Sequence, residues 1–244
     1  MAASFIGELL GRRAKSPHFP NISDKDSTTS VEVSEYILEA LGLPEPGFTP
    51  SSSPGTSLEH SVSKDLQNEL PKRDPSRAWD VRHKQNALNS FSQYSHLRDL
   101  TRAIDSDESG TLRVVVGGDY LITPDVTVRR GEEGSPLHAS VSCKWTLRSD
   151  RAQNARTEAR GLIQHRKGRA PHIVVVTAEP LPSRLASLGF GTGDIDALYH
   201  IAYPELLEGV EQYGTDGEKQ NLDVMVRGNR LRDYTDLAGL FVSE

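Results

Sequence analysis

An aspartate, a lysine and a glutamate are spaced along this chain so that folding can bring them to one site. Asp125 follows a proline at the end of one β-branched run, Lys144 lies on the next predicted strand, and Glu158 lies on the helix after it. Two carboxylates beside a lysine form an oxygen-rich site suited to Mg²⁺, which keeps water and accepts phosphate oxygens. Metal ions held there polarise a phosphate, lower the pKa of an attacking water and neutralise the leaving oxygen. The lysine then orients that water or stabilises charge on the phosphate.

A short charged string, R-S-D-R, stands between the lysine and the glutamate and contains Arg148, Asp150 and Arg151. Arginine donates a bidentate pair to guanine O6 and N7, and aspartate accepts from cytosine N4, both in the major groove. Two arginines and one aspartate per subunit are therefore able to read two consecutive C·G pairs. A two-fold dimer extends this to CCGG, because the protein symmetry then matches a palindrome. The alternative is a surface Arg–Asp ion pair, which contributes little to stability.

The charge distribution favours double-stranded DNA as the partner although the chain has a net charge of -6. Residues 144–169 contain eight Lys/Arg and two acidic residues, so this segment carries +6 and the remainder carries -12. A basic strip on an acidic body is typical of a surface that follows phosphates. A solvated helix face is the alternative, since most basic runs are of that kind.

Apolar periodicity predicts the elements that must position these residues. Helical spacing predicts helices over 31–43, 58–70, 82–104 and 151–168, the first two ended by Pro44 and Pro71. Apolar and β-branched runs predict strands in 112–130 (two, around a Gly-Gly turn), 137–145, 172–180, DALYHIAY and NLDVMVRG. This order of elements favours an α/β fold in which helices flank a mixed central sheet.

Length and composition bound the class of protein. A chain of 244 residues fits a single α/β domain over 1–244, with two small domains as the alternative. Residues 1–30 are rich in Ser, Thr and Asp and are predicted to be loosely ordered apart from a short first helix. Its one cysteine, Cys143, excludes an intrachain disulfide framework and a Cys-rich zinc site. The basic residues of MAASFIGELLGRRAKS follow the apolar stretch, the reverse of a secretory signal, and no apolar run reaches the roughly 18 residues of a membrane span. We therefore expect a cytoplasmic protein without a membrane partner.

The residues around the aspartate and the lysine resemble the PD-(D/E)XK signature of a large nuclease superfamily. Ser142 departs from this signature, because an acid usually stands two positions before the lysine. In restriction enzymes that recognise sites built on CCGG, the missing acid lies fourteen residues after the lysine, which is the spacing of Lys144 and Glu158. The strings SCKWTLRSDRAQNARTE, RKGRAPHIVVVTAEPLPSR and GTGDID are similar to the NgoMIV group of type II restriction endonucleases. This resemblance extends from about residue 50 to the C-terminus and implies a bacterial enzyme with a PD-(D/E)XK core.

The resemblance implies a role for each matched residue of the active site. Asp125 and Glu158 correspond to metal ligands and Lys144 to the catalytic lysine. Cys143 would lend its backbone carbonyl to a metal, which leaves its thiol incidental. Glu59, in GTSLEHSV, matches an acid on an N-terminal helix that completes the site, with a solvated helix-start glutamate as the alternative. The expected cofactor is Mg²⁺, two ions per active site.

The resemblance also bears on the outer base pair of the recognition site. Arg184, in PSRLAS, matches an arginine that reads an outer guanine, which favours cleavage of GCCGGC after its first G. A glutamine that makes a second contact in this group falls at Ser52 here. A serine that makes a third contact falls near Asp26 and Ser27, where the alignment is poor. Specificity at the outer pair therefore has less support than specificity for CCGG.

The connection between the two catalytic strands bears on assembly. Enzymes of the NgoMIV group are tetramers that hold two DNA duplexes, and a long loop between these strands helps to join the dimers. Here the connection, RRGEEGSPLHA, is short and Gly-rich. A homodimer is therefore expected, with a homotetramer binding two duplexes as the alternative.

Two other functions fit parts of the pattern. A structure-selective nuclease for DNA repair or junctions needs the Asp125, Lys144 and Glu158 site but no base-reading string. A catalytically silent DNA-binding repressor needs the basic surface alone, and the retention of all three catalytic residues argues against it. A discrete fragment ladder on a long plasmid distinguishes a restriction enzyme from both.

Overall fold

The computed structural model describes residues 2–43, 53–84, 88–116, 122–191 and 193–243 of the chain. The described strands are β1 (Arg12–Arg13), β2 (Ser16–Pro20), β3 (Trp79–His83), β4 (Val126–Arg130), β5 (Leu137–Lys144), β6 (His172–Thr177), β7 (Ala197–His200) and β8 (Leu231–Asp233). The described helices are α1 (Ile6–Leu9), α2 (Thr28–Ala40), α3 (Pro54–Arg73), α4 (His96–Asp105), α5 (Thr111–Val116), α6 (Ser149–His165), α7 (Pro182–Gly189), α8 (Tyr203–Tyr213), α9 (Asp216–Arg227) and α10 (Leu237–Ser243).

Six strands form one mixed sheet in the order β3-β4-β5-β6-β7-β8. Neighbours are antiparallel from β3 to β5 and parallel from β5 to β8. The amino end of β4 therefore meets the carboxyl ends of β3, β5 and β6 along one side of the sheet. We call this side, marked by His83, Val126, Lys144 and Thr177, the site edge. The predicted mixed sheet flanked by helices is confirmed.

The central strands are covered on both faces. In β6 only His172 is partly exposed, and the five residues after it are buried. A continuous apolar run of this kind is typical of a parallel strand with helices on both sides. In β5 apolar and polar residues alternate along the sequence, yet the polar residues His138, Ser140 and Ser142 are buried as well. Helix α3 packs on β3, β4 and β5. Helices α7, α8 and α9 contact β7 and β8.

The N-terminal segment differs from the loose order that its composition predicted. Residues 2–30 include α1 and the β1–β2 hairpin, and they bury Leu9 and Leu10. The amide of Ala3 donates to the carbonyl of Ile201 at 2.9 Å, which ties this segment to the turn after β7. The apolar residues of the first ten positions provide this burial, although Ser, Thr and Asp dominate the average composition of the segment.

Several predicted elements are confirmed and others are wrong. The helices predicted over 31–43, 58–70 and 151–168 correspond to α2, α3 and α6, and the strands predicted over 137–145 and 172–180 correspond to β5 and β6. The predicted stop at Pro71 is wrong, because α3 continues to its end at Arg73 with this proline inside its last turn. A proline there removes a single backbone donor near a helix end, so the helix tolerates it.

Three other segments adopt a different structure from the predicted one. The segment predicted as one helix over 82–104 contains the end of β3, two short 3-10 turns and α4. The first strand predicted in 112–130 is the helix α5, and NLDVMVRG lies largely in α9. In β3 five residues pair with β4 in continuous antiparallel register, and this long-range pairing outweighs the local helical spacing.

Within the described ranges, no helix combines the length and the apolar character that a membrane crossing requires.

Candidate active site

Asp125 and Lys144 meet at the site edge because they lie on neighbouring antiparallel strands. Val126 pairs with Val141 in the β4–β5 register, which puts Asp125 beside the last residues of β5. The Lys144 ammonium donates to Asp125 Oδ2 at 3.0 Å. The backbone N–H of Cys143 donates to the same oxygen at 2.9 Å. The aspartate is buried and oriented by two donors, so its other oxygen is left to face further partners.

Glu158 reaches the same site from α6. Its Oε2 lies 3.8 Å from the Lys144 ammonium. Ser142, which replaces the acid of the motif, has its hydroxyl 3.3 Å from Glu158 Oε2 and 3.4 Å from Asp125 Oδ2. The Glu158 carboxylate, which comes from α6, therefore lies close to the position that an acidic side chain at Ser142 would occupy. The Ser142 hydroxyl lies between the carboxylates of Asp125 and Glu158.

Glu59 joins this network from the first turns of α3. It is 7% exposed, so the alternative of a solvated helix-start glutamate does not describe it. Its Oε2 accepts from the Lys84 ammonium at 2.7 Å and lies 2.8 Å from His83 Nε2. The Lys84 ammonium is also 3.9 Å from Asp125 Oδ1. Glu59 is therefore connected to the other acids through a second lysine.

Lys84 and His83 were missed by the sequence interpretation. Lys84 follows β3 with φ of +46°, in the left-handed region that residues with a Cβ rarely adopt. Such a conformation costs about 1–3 kcal/mol and persists where the surroundings fix it, most often at functional sites. No signal in the sequence singles out this lysine, because its significance depends on β3, which the helical spacing of 82–104 concealed.

The residues at the site edge fit a Mg²⁺ ion that keeps much of its water. Among the described residues, no three His, Cys, Asp or Glu side chains form a cluster that holds a metal by itself. Mg²⁺ is usually bound by one or two carboxylates together with waters and substrate phosphates, so Asp125 and Glu158 suffice. In a strand, the N–H and C=O of one residue point to the same side. The Cys143 N–H points to Asp125, so its carbonyl faces the same side of β5.

Burial shifts the pKa values of several groups at the site. Desolvation is the main cause that raises the pKa of the Glu158 carboxyl, and the nearby Asp125 charge raises it further while Lys144 opposes. Desolvation also raises the pKa of the Cys143 thiol well above its ordinary value, so this sulfur stays protonated and uncharged. The hydrogen bond to Glu59 is the main cause that raises the pKa of Lys84. The Lys84 ammonium is therefore positively charged at neutral pH. Lys144 lies at ion-pair distance from both Asp125 and Glu158.

The R-S-D-R string lies at the start of α6, beside the acidic site and open to solvent. Arg148 is the N-cap residue, and Asp150 lies in the first helical turn. Arg148, Asp150 and Arg151 are all exposed, and the Arg151 guanidinium donates to the Thr146 hydroxyl at 3.1 Å. The helix begins at Ser149, two residues before the start predicted from the sequence. An exposed helix start that carries two arginines is able to contact phosphates and base edges.

Arg184 lies at the start of α7 and faces the same opening. Together with Arg148, Asp24 and Asp26 it lines a pocket of about 560 Å³. Arg184 donates a hydrogen bond to Asp24, and this contact is the main cause that lowers the pKa of the Asp24 carboxyl. The stretch predicted to supply a third outer contact is thus beside the arginine predicted to supply the first. Ser52 lies outside the described residues.

Two comparisons by sequence place this chain beside known restriction enzymes. Residues 5–135 and 127–240 match the profile of the NgoMIV restriction enzyme family. The type II restriction enzyme NgoMIV of Neisseria gonorrhoeae is 39% identical over 250 residues, which cover 88% of this chain and 87% of that enzyme. Among solved structures, type IIF restriction endonuclease Bse634I with cognate DNA is similar, with a TM-score of 0.43 and 14% identity over 79% of this chain and 87% of that chain.

Proposed function

Because this chain belongs to the NgoMIV restriction enzyme family and is a type II restriction endonuclease, we propose that it uses Mg²⁺ to cleave double-stranded DNA at GCCGGC. The observation that carries this proposal is the convergence of Asp125, Lys144 and Glu158 at the site edge, within 3.0 Å and 3.8 Å along the ion pairs. Two carboxylates and a lysine at one strand edge are suited to the hydrolysis of a phosphodiester.

The proposed roles follow from the contacts. Asp125, Glu158 and the Cys143 carbonyl would hold Mg²⁺, with two ions in each active site. When bound, the metal supplies charge that polarises the scissile phosphate and lowers the pKa of the attacking water. Lys144 orients that water or stabilises charge on the phosphate, and the Cys143 N–H keeps the Asp125 carboxylate turned toward the lysine. Glu59 completes the acidic site from α3.

The exposed start of α6 supports the proposed base reading. Arg148 and Arg151 contact guanine and Asp150 contacts cytosine in the major groove, which accounts for two C·G pairs per subunit. Arg184 contacts the outer guanine from α7, across the pocket that it shares with Arg148. Ser52 is proposed as a further outer contact from the sequence resemblance alone.

A two-fold dimer matches a palindromic site with one subunit on each half. The connection between β4 and β5 spans only residues 131–136, so we propose a homodimer on one duplex rather than a homotetramer on two. Bacterial DNA lies in the cytoplasm, and the proposed substrate places the enzyme there.

Digestion of a plasmid and sequencing of the fragment ends tests recognition and cut position together. We expect discrete fragments with 5′ CCGG overhangs, in the presence of Mg²⁺ and not with EDTA. Cutting only at branches or free ends would instead support the structure-selective nuclease. Fragments that share another terminal sequence would overturn the proposed site and leave the enzyme class intact.

A second digestion examines the outer base pair. The substrates are identical duplexes that differ only in the pair flanking CCGG. A mismatched pair typically costs about 1–3 kcal/mol of binding free energy, and one of the outer contacts of the family has changed to Ser52. We expect full cleavage of GCCGGC and slower but detectable cleavage of the other duplexes. Equal cleavage rates on all duplexes would show that the enzyme recognises only CCGG. Failure to cut GCCGGC would overturn the proposed recognition sequence.

A further inference from the structure

A buried glutamate follows β6 at the site edge, in the string TAEP. Glu179 is fully buried. A buried carboxylate is expensive to desolvate, so it persists where its oxygens accept several hydrogen bonds or face a cation. Within the described residues, the Glu179 carboxylate accepts hydrogen bonds from backbone amides of two loops, and it has no hydrogen bond with Asp125, Lys144 or Glu158.

The first of these loops leads into α6. Glu179 Oε2 accepts from the backbone N–H of Leu147 at 2.7 Å. Leu147 directly precedes Arg148, the N-cap of α6, and is itself buried. This hydrogen bond therefore fixes the peptide between Thr146 and Leu147, one residue before Arg148 and the start of α6.

The second loop leads into α7. Glu179 Oε1 accepts from the backbone N–H of Leu181, the N-cap of α7, at 3.1 Å. Glu179 Oε2 also lies 3.9 Å from a terminal nitrogen of Arg184. One carboxylate thus contacts the start of both helices that line the pocket shared by Arg148 and Arg184.

We propose that Glu179 is a positioning residue for base recognition, which sets the relative placement of the inner-pair reader Arg148 and the outer-pair reader Arg184. This inference rests on the proposed function, because it assumes that the two arginines contact bases. A carboxylate is required, since it accepts with both oxygens and also pairs with a guanidinium. An amide at this position offers one acceptor oxygen, and its NH₂ group faces a backbone N–H.

The test compares Glu179→Gln with the control Asp196→Asn, which makes the same acid-to-amide change at an exposed residue. Asp196 also accepts a backbone N–H, that of Ile173 at 2.9 Å, but it lies at the opposite end of β6. For each protein, affinities are measured at pH 8 in Ca²⁺ for the duplex that wild type cleaves and for a random duplex. Single-turnover cleavage is then measured in Mg²⁺ at saturating cognate duplex.

We expect Glu179→Gln to lower the ratio of cognate to random affinity at least tenfold. Its saturated cleavage rate should stay within about threefold of wild type. Asp196→Asn should keep both values. A ratio within twofold of wild type overturns the inference, and so does a loss of affinity that is equal on both duplexes, because a merely structural role lowers the amount of folded enzyme without changing its discrimination.

A measurement on the wild type covers the case in which Glu179→Gln fails to fold. The Leu147 and Leu181 amides should exchange their hydrogens much more slowly than exposed loop amides. Rapid exchange of the Leu147 amide overturns the inference. A wild-type enzyme without any sequence preference would contradict the proposed function instead, while the Leu147 exchange rate still decides whether Glu179 holds this turn.

Discussion

At the scale of single residues, charges of opposite sign alternate along the site edge. Glu59, Lys84, Asp125, Lys144 and Glu158 form a chain of ion pairs with contacts between 2.7 and 3.9 Å. Three carboxylates and two ammonium groups leave one excess negative charge. These side chains therefore balance only part of the charge of a bound Mg²⁺ ion, and DNA phosphates would supply further negative charge.

Removing any of the proposed catalytic side chains should abolish cutting. We expect Asp125→Ala, Lys144→Ala and Glu158→Ala each to lower the cleavage rate at least about 100-fold, since loss of one group that stabilises transition-state charge typically costs about 10²–10³. Single-turnover digestion of a cognate duplex in Mg²⁺ measures the loss. Asp125→Ala should still bind that duplex in Ca²⁺, because the base-reading residues are unchanged. Substantial cleavage by a variant removes its residue from the catalytic set.

Cys143→Ser should remain active, because the backbone of this residue faces Asp125 whereas its thiol stays protonated. We expect a cleavage rate within about threefold of wild type and a small loss of stability from the buried hydroxyl, about 1–3 kcal/mol. Specific activity and circular dichroism of the same preparation measure both effects. A folded but inactive Cys143→Ser protein would show that the sulfur takes part.

Glu179 should make stability depend on pH. Desolvation raises the pKa of its carboxyl from 4.5 to about 7, against the opposing hydrogen bond from Leu147 and the charge of Arg184, while Asp24 adds to the rise. Folding therefore takes up a proton between these two values, and the free energy of unfolding decreases as the pH rises from about 4.5 to 7. The difference between the two pKa values corresponds to about 3 kcal/mol.

The neutral variant Glu179→Gln lacks this contribution. Its free energy of unfolding, measured with urea, should increase relative to wild type when the pH is raised from 5 to 8. The buried His200 lies near the backbone of residues 178 and 179, and burial lowers its pKa from 6.5 to about 4, so it changes stability between these two pH values. Both proteins contain His200, and its contribution therefore cancels in the difference between them. A stability difference that does not change between pH 5 and pH 8 contradicts the assignment of this pH dependence to Glu179.

The sequence identified those site residues that lie in or beside segments with a clear helix or strand pattern. Asp125 and Lys144 end predicted strands, and Glu158 lies on the helix that follows. The roles of Lys84 and Glu179 depend instead on groups from distant segments of the chain: the Glu59 and Asp125 carboxylates for Lys84, and the Leu147 amide for Glu179. A charged residue just after a continuous buried strand was the one available indication of Glu179.

At the scale of elements, α6 serves two purposes at different points along its length. Its start presents Arg148, Asp150 and Arg151 to solvent, and its third turn turns Glu158 toward β5. The two sites are therefore fixed relative to each other by one rigid helix. If the start of α6 reads bases as proposed, binding of the correct bases would place the scissile phosphate near the acids without a further conformational change.

Basic residues at the two ends of α6 should differ in their effects on DNA binding. We expect Arg148→Ala to cost about 1–3 kcal/mol of discrimination against the wrong base. Lys167 is exposed and lies just past the other end of α6. We expect Lys167→Ala to weaken binding to cognate and random DNA alike, and to reduce the slope of log affinity against log salt concentration by about 1. Titrations of both duplexes at several salt concentrations measure this. Equal losses on both duplexes for Arg148→Ala exclude it as a base reader.

Prediction of the elements succeeded where local pattern and tertiary environment agree. The buried run of β6 and the amphipathic stripes of α2 and α3 are examples. It failed for the residues 82–104, where the pairing of β3 with β4 outweighs helical spacing, and for α5, whose β-branched Val114, Val115 and Val116 are exposed on a helix. A short β-branched run forms a strand only where another strand pairs with it. The local sequence does not show whether such a partner is present, so it does not decide between helix and strand.

At the scale of the whole molecule, the short connection between β4 and β5 bears on assembly. We expect sedimentation of the protein with a short GCCGGC duplex to give two chains per duplex, because palindromic recognition needs two copies of the α6 start. Four chains with two duplexes would contradict the proposed homodimer. Dilution of the complex distinguishes a weak tetramer from a stable one.

The tie between the N-terminal segment and the second half of the sheet has a consequence during protein synthesis. Arg184 binds Asp24 across 160 residues of chain, and the Trp145 indole donates to the carbonyl of Asn21 at 3.2 Å. Ribosomes add about 5–20 residues per second, so Asp24 waits roughly 10–30 s before its partner emerges. The pocket that is proposed to read the outer base pair is thus absent from a nascent chain. The proposed discrimination between DNA sequences would then be acquired only after most of the polypeptide has left the ribosome.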